Sequence, residues 1–299
     1  MRNITYNSLK KIVLYLKTPI QLQELKLSYN FSRNFSRRQI LKTSGLITGA
    51  ASVGSTVLLG NLITGSHTNS SAQAQEPNKL AAPQMVINSR MLYFGWIPED
   101  PAAVKALVPN RFTPNNRGAV FMNQYVVDSD EQTSGFGAYS LTYLGADLQN
   151  LDAPGGVNPG RWWTHYFNSS STVIKYVLER GVPATPGRTT LTLDGNTLIA
   201  TTESNGVPII RTTARVGNTI ASVARGQLRY ITKKDYGTYT SGVYPYVSEI
   251  VSPWEIVSLE FLQPSHPVYA LRPKQPLEIT FGFYAPRSSF CYPGGEEVI

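Results

Sequence analysis

Cysteine is almost missing from these 299 residues: Cys291 stands alone. No disulfide can therefore form within the chain, even in an oxidising compartment, and stability has to come from a packed core. Histidine is scarce too, with only His67, His165 and His266. No metal-ligand spacing joins His165, His266 and Cys291, so no metal site is expected. The two later histidines read as a half-buried strand residue (His165) and a surface loop residue (His266), and Cys291 as a small buried side chain rather than a nucleophile. After residue 75 there is no G-x-S-x-G elbow and no glycine-rich phosphate loop, which excludes a serine α/β-hydrolase and a phosphate-cradling site. No cofactor is implied.

A basic surplus is also missing once the chain is divided. The formal charge is +8, but nine of the 27 basic residues precede position 75, against one of the 19 acids, Glu24. The remainder carries 18 residues of each sign. Capture of a polyanion needs a net basic footprint, so no nucleic-acid partner is expected.

What the first 74 residues do contain is an address. Arg37-Arg38 sit between Ser36 and Ile40-Leu41-Lys42, which resembles a twin-arginine export signal. A Gly/Ala/Ser/Thr-rich apolar segment follows over 43–65, too weakly hydrophobic for a stable membrane span. Ala72-Gln73-Ala74 is a small-x-small triplet of the kind signal peptidase cuts. The reading is a removed signal peptide over 1–74, a linker over 75–84 and one domain over 85–299, in the periplasm or another exported bacterial compartment. The twin-arginine translocase and signal peptidase are the partners implied. Residues 1–36 are long for the segment ahead of such a signal.

The remaining 225 residues suffice for one sizeable domain. Residues 85–97 are strand-like. Asp100-Pro101 opens a short helix with Ala102, Val104, Leu107 and Val108, ended by Pro109. Residues 118–127, 133–148 and 161–167 read as strands or turn-plus-strand, and 169–180 as a serine-capped helix stopped at Gly181. Asp194-Gly195, Asn205-Gly206 and Gly217-Asn218 punctuate a three-strand meander of tight hairpins, with Pro208 at a strand start. Further strands follow at 221–232, 254–263 and 277–285; 240–248 reads as a Tyr/Gly/Pro loop. The fold class expected is mainly β (α+β), a single strongly bent antiparallel sheet with two or three short helices. Closure would remove its edges and leave a cavity.

Three segments, NSRMLYFGWIPEDPAAVKALVP (88–109), TSGFGAYS (133–140) and RGVPATPGRTTLTLDG (180–195), resemble in order and spacing the acetoacetate decarboxylase family. That resemblance implies a cone-like β-sheet around a cavity. It also implies a Schiff-base lysine beside a second lysine that lowers its pKa, the imine acting as electron sink when CO2 leaves. Here the lysine pair falls on Ala184 and Thr185, and two family glutamates fall on Leu141 and near Asn123. Arg90 and Tyr139 are retained.

No catalytic residue is therefore assigned. The first reading is an exported binding protein for a small or apolar carboxylate or keto ligand, held by Arg90, Tyr139, Trp163 and His165. Strand alternation would put Trp163, His165 and Phe167 on one face of the row Trp162, Trp163, Tyr166, Phe167. The alternative is a lyase of decarboxylase, hydratase or aldolase type using another catalytic set: Arg90 and Tyr139 as electrophiles, or an amine from Lys175, which otherwise reads as a solvated helix residue. An envelope-interaction protein comes last. The oligomeric state stays open.

Overall fold

A computed structural model describes residues 80–234, 237–292 and 296–299. The export signal, its cleavage point and the first half of the linker lie outside the described residues.

The strands are β1 (Gln84–Trp96), β2 (Val120–Val127), β3 (Tyr139–Asp147), β4 (Gly160–Asn168), β5 (Ala184–Asp194), β6 (Thr197–Ser204), β7 (Val207–Lys233), β8 (Tyr239–Phe261), β9 (Ile279–Tyr292) and β10 (Glu297–Val298). Helices α1 (Pro101–Leu107) and α2 (Ser171–Leu178) accompany them, with 3-10 turns at Asp130–Gln132 and Pro267–Leu271. Asp100 caps α1 by accepting from the amides of Ala102 and Ala103, and Ser170 caps α2 through Val173, as their sequences predict.

All ten strands form one sheet, ordered β10-β8-β7-β6-β5-β4-β3-β2-β1-β9, and β8 pairs again with β9 so that the sheet returns on itself. The mainly-β, cone-like fold class holds. Most pairings are antiparallel, but β4 runs parallel to β5 at Tyr166–Ala184 and to β7 at Gly160–Arg229. The first of these follows from α2: a strand–helix–strand crossover brings the next strand back in the same direction.

Two expectations about β7 and β8 are corrected. Asn205-Gly206 does make a hairpin turn, with positive φ at both residues, as a two-residue type I′ loop requires. Gly217-Asn218 does not. The chain runs on through it as a single strand, with a register break between Val216 and Thr219 opposite Trp254 and Ser252. A Cβ on Gly217 would sit 2.0 Å from the carbonyl oxygen of Ser252, so glycine marks a bulge with close backbone approach there rather than a turn. Residues 240–248, read as a loop, are the first half of β8. Their tyrosines and valines suit a strand, and Pro245 is tolerated opposite Gln227.

Both faces of β1 from Met91 onward, and of β2 and β3, are buried. Leu92, Phe94, Trp96, Val120, Met122, Leu144 and Ala146 point to one side and meet Leu198, Ala200, Ile209 and Ile210 of the β5–β6–β7 layer. Tyr93, Phe121, Tyr125, Leu141 and Tyr143 point to the other, into the sheet's hollow. That explains the unbroken apolar run 91–97, the pattern of a strand covered on both faces.

Candidate functional site

Register builds the inner surface row by row. Phe283, Tyr93, Asn123, Tyr143 and Tyr166 lie opposite one another across β9, β1, β2, β3 and β4. Because alternate residues share a face, one row set two residues away holds Phe281 and Phe121, and another holds Met91, Tyr125 and Leu141. Tyr244, Tyr246 and Ser248 of β8, with Ser288, Phe290 and Tyr292 of β9, complete the wall. The space open to the centres of water molecules is about 30 Å3.

Inside this hollow, hydroxyl groups pair with hydroxyl groups. Tyr143 meets Tyr244 at 3.2 Å, Ser248 meets Ser288 at 2.7 Å, and Asn123 Nδ2 donates to Tyr143 at 3.1 Å. Farther along the same inner surface, Tyr125 pairs with Tyr139 and Tyr166 with Tyr292, each at 2.8 Å. Two polar atoms of the lining are left over: Tyr93 Oη and Asn123 Oδ1 are buried and have no hydrogen-bond partner among the described residues. Such groups are rare in native proteins, because an unpaired buried polar atom retains its full desolvation penalty.

The charge beside the hollow belongs to Arg161, which the sequence reading passed over. It is 4 % exposed. Its Nε donates to Asp147 at 3.1 Å, and its guanidinium lies 4.7–5.4 Å from the ring centres of Phe121, Tyr93 and Phe281. Its Nη1 is a third buried atom without a partner among the described residues. Burial disfavours the charge, but the Asp147 carboxylate opposes that and the guanidinium stays above its ordinary range. Burial pushes Asp147 up, against the pull of Arg161. It pushes the phenols of Tyr93, Tyr143 and Tyr244 up as well, so that they are neutral at physiological pH.

Of the four residues predicted to bind ligand, the structure brings one to the hollow. Trp163 lines it, stacked on Tyr230 with centroids 4.6 Å apart. Tyr139 lies farther along the inner surface, bonded to Tyr125. Arg90 is engaged elsewhere: its Nε and Nη2 hold Asp128 at 2.8 and 2.6 Å and its Nη1 donates to the Leu191 carbonyl. Hydrogen bonding from Arg90 holds the Asp128 carboxyl below its usual range.

His165 is the clearest correction. Trp163 and His165 do not share a face. Gly145 pairs with Trp163 while the preceding Leu144 pairs with His165, so Thr164 is an extra residue, a bulge that inverts the alternation. Gly145 permits it, since a Cβ there would lie 2.1 Å from the Trp162 carbonyl oxygen. Trp163 and Tyr166 consequently face the hollow, while His165 and Phe167 stack on the opposite side near His266. Burial there, with His266 nearby, pushes the His165 imidazole down to about 4. The same bulge borders a second hollow of about 220 Å3 between Leu107, Trp162, Trp163, Thr164, Gly181, Pro183 and Lys233. Trp163 is a wall of both.

The positions matched to the family's catalytic groups are also located. Ala184 and Leu141 are packed in the aromatic core, Thr185 reaches only the Tyr166 carbonyl, at 3.5 Å, and Asn123 lines the hollow. Among the described residues, Lys105, Lys175 and Lys233 are exposed and Lys234 and Lys274 half-buried, and none lines this space. No group of three or more metal-ligating side chains occurs among the described residues, and no described helix is long and apolar enough to cross a membrane.

A closed, mainly antiparallel cone of this kind is the fold of acetoacetate decarboxylase-like proteins. An acetoacetate decarboxylase structure superimposes with a TM-score of 0.54 at 16% identity, over 75% of this chain and 91% of that one. The enzyme from Legionella pneumophila gives 0.56 at 15%, over 81% and 98%. The enduracididine biosynthesis enzyme MppR, complexed with the condensation product of pyruvate and imidazole 4-carboxaldehyde, gives 0.51 at 11%, over 82% and 98%. The sequence itself matches no family model and no curated protein.

Proposed function

We propose that this chain is an exported acetoacetate decarboxylase-like protein that holds a small keto or carboxylate ligand in its tyrosine-lined hollow without forming an imine. One observation carries the reading: the cation beside the hollow is a guanidinium tied to Asp147, and no described lysine lines the space. Imine formation requires a primary amine that can shed its proton; an arginine side chain does neither. What the site offers is hydrogen bonding and ring faces, the equipment for binding. Lys175, the amine of the lyase reading, projects from the exposed side of α2, so the geometry favours binding over that alternative.

Borohydride reduction in the presence of acetoacetate, followed by intact mass, tests this. The expected result is no mass gain and no CO2 release, with a ligand retained in native mass spectra of protein taken from its own cell. A covalent adduct on any lysine would overturn the reading. Export is tested separately: replacing Arg37 and Arg38 by lysine is expected to leave the chain uncleaved in the cytoplasmic fraction, and unchanged processing would refute a twin-arginine route.

A further inference from the structure

We infer that the head group this hollow recognises is a neutral hydroxycarbonyl rather than a carboxylate. The inference rests on the binding reading and narrows it.

The two unpartnered atoms that line the space define the complement; the third, Arg161 Nη1, does not belong to a lining residue. Tyr93 and Asn123 are register partners on adjacent strands, 5 % and 2 % exposed, and both line the space. Tyr93 Oη has a proton to give and Asn123 Oδ1 a lone pair to fill, and neither finds a protein partner among the described residues. Asn123 is oriented by the bond from its Nδ2 to Tyr143, itself held by Tyr244. A ligand carrying a carbonyl oxygen next to a hydroxyl supplies one acceptor and one donor and satisfies both.

Charge decides against an acid. Arg161 would be the natural attraction for a carboxylate, but Asp147 already neutralises it within the same buried layer, and the nearby phenols carry no charge. A carboxylate entering here would be the one uncompensated charge in a desolvated space, which a protein interior disfavours far more than a hydrogen-bonded neutral carbonyl. The small volume points the same way, since an anion would have to leave its hydration shell outside.

The test is a titration of the full chain with acetoin, butanone and acetoacetate, probes of similar size that differ in donor and charge, followed by ligand-observed NMR and tryptophan fluorescence. Each is repeated on Tyr93→Phe, with thermal denaturation alongside. Acetoin is expected to bind at least about tenfold more tightly than acetoacetate, with butanone between. Tyr93→Phe is expected to weaken acetoin about tenfold while leaving the thermal midpoint unchanged or raised, because it deletes a buried hydroxyl that has no partner. A merely structural tyrosine would lose stability and leave the ranking alone. Acetoacetate binding more tightly than acetoin, or an unaltered acetoin affinity in Tyr93→Phe, overturns the inference while leaving the binding role intact. Butanone matching acetoin overturns the part assigned to Asn123. If none of the three binds while a different ligand is retained in native mass spectra, the inference falls and the reading beneath it stands.

Discussion

The two faces of the β1–β2–β3 wall make a controlled comparison, because each strand contributes alternate residues to both. On the outer face Leu92, Val120, Met122 and Leu144 pack against Leu198, Ala200, Ile209 and Ile210 of the β5–β6–β7 layer. On the inner face the same strands place Tyr93, Phe121, Asn123, Tyr125 and Tyr143. The outer side also buries polar groups, Gln124, Thr142, Thr189, Thr202 and Thr212, but pairs each of them within one hydrogen-bonded network and otherwise fills by shape. The tyrosine side must pair each hydroxyl, does so almost everywhere, and leaves a space where two polar atoms are unmatched. One side of a strand supplies cohesion while the other is free to recognise something.

The most severe way to break this contrast is to strand a charge on the inner side. Arg161→Met leaves Asp147 buried and unpaired, and urea denaturation is expected to show a loss of about 3–5 kcal/mol. Adding Asp147→Leu should recover most of it, since two apolar side chains of similar volume replace the pair. On the outer side Leu198→Ala is expected to cost about 2–5 kcal/mol through the cavity it leaves. Its inner counterpart Tyr125→Phe keeps the ring but leaves the buried Tyr139 hydroxyl without its partner, and should cost about 1–3 kcal/mol.

His165 supplies a pH lever on the outer side. Its folded-state pKa of about 4 lies below the ordinary value of 6.5, so the unfolded chain takes up a proton that the folded one refuses. This contribution is neutral above pH 6.5 and turns against folding as pH falls from 6.5 to 4, by up to roughly 3 kcal/mol. Denaturation midpoints at stepped pH should flatten over that window in His165→Gln; an unchanged slope would show that the imidazole is not buried as placed. The smallest effect belongs to Arg90→Ala. Its pair with the half-exposed Asp128 should contribute at most about 1 kcal/mol, and ligand affinity should not move if the guanidinium is spent on that carboxylate.

Much of the architecture was legible along the chain. Aromatic and β-branched runs located most strands, Asp100-Pro101 and Ser170 announced the two helices, and Asn205-Gly206 announced its hairpin. Three motifs in order pointed to the cone. What misled was local chemistry with two structural meanings. Glycine followed by asparagine at 217–218 serves a tight turn or a bulge, and only the passage of Ser252 against Gly217 decides between them. The tyrosines of 240–248 suited a loop until β7 and β9 flanked them.

The site was less legible. Tyr93, Tyr143 and Tyr244 stand at alternating positions of β1, β3 and β8 that no motif marks, and Asn123 was singled out only as the approximate place of a family glutamate. Arg161 looked like the first residue of an aromatic run, and its value depends on Asp147, fourteen residues away. His165 was assigned to the wrong face because a one-residue bulge reverses everything after it.

By itself, then, the sequence determined where most of the strands and the two described helices lie, the lack of any disulfide within the chain, and which side chains carry amines. Those properties follow from local backbone preference and covalent identity. Only the tertiary structure decided which face each residue occupies and which polar atoms remain unpaired, because both depend on strand register, and register is settled by partners far away in the chain.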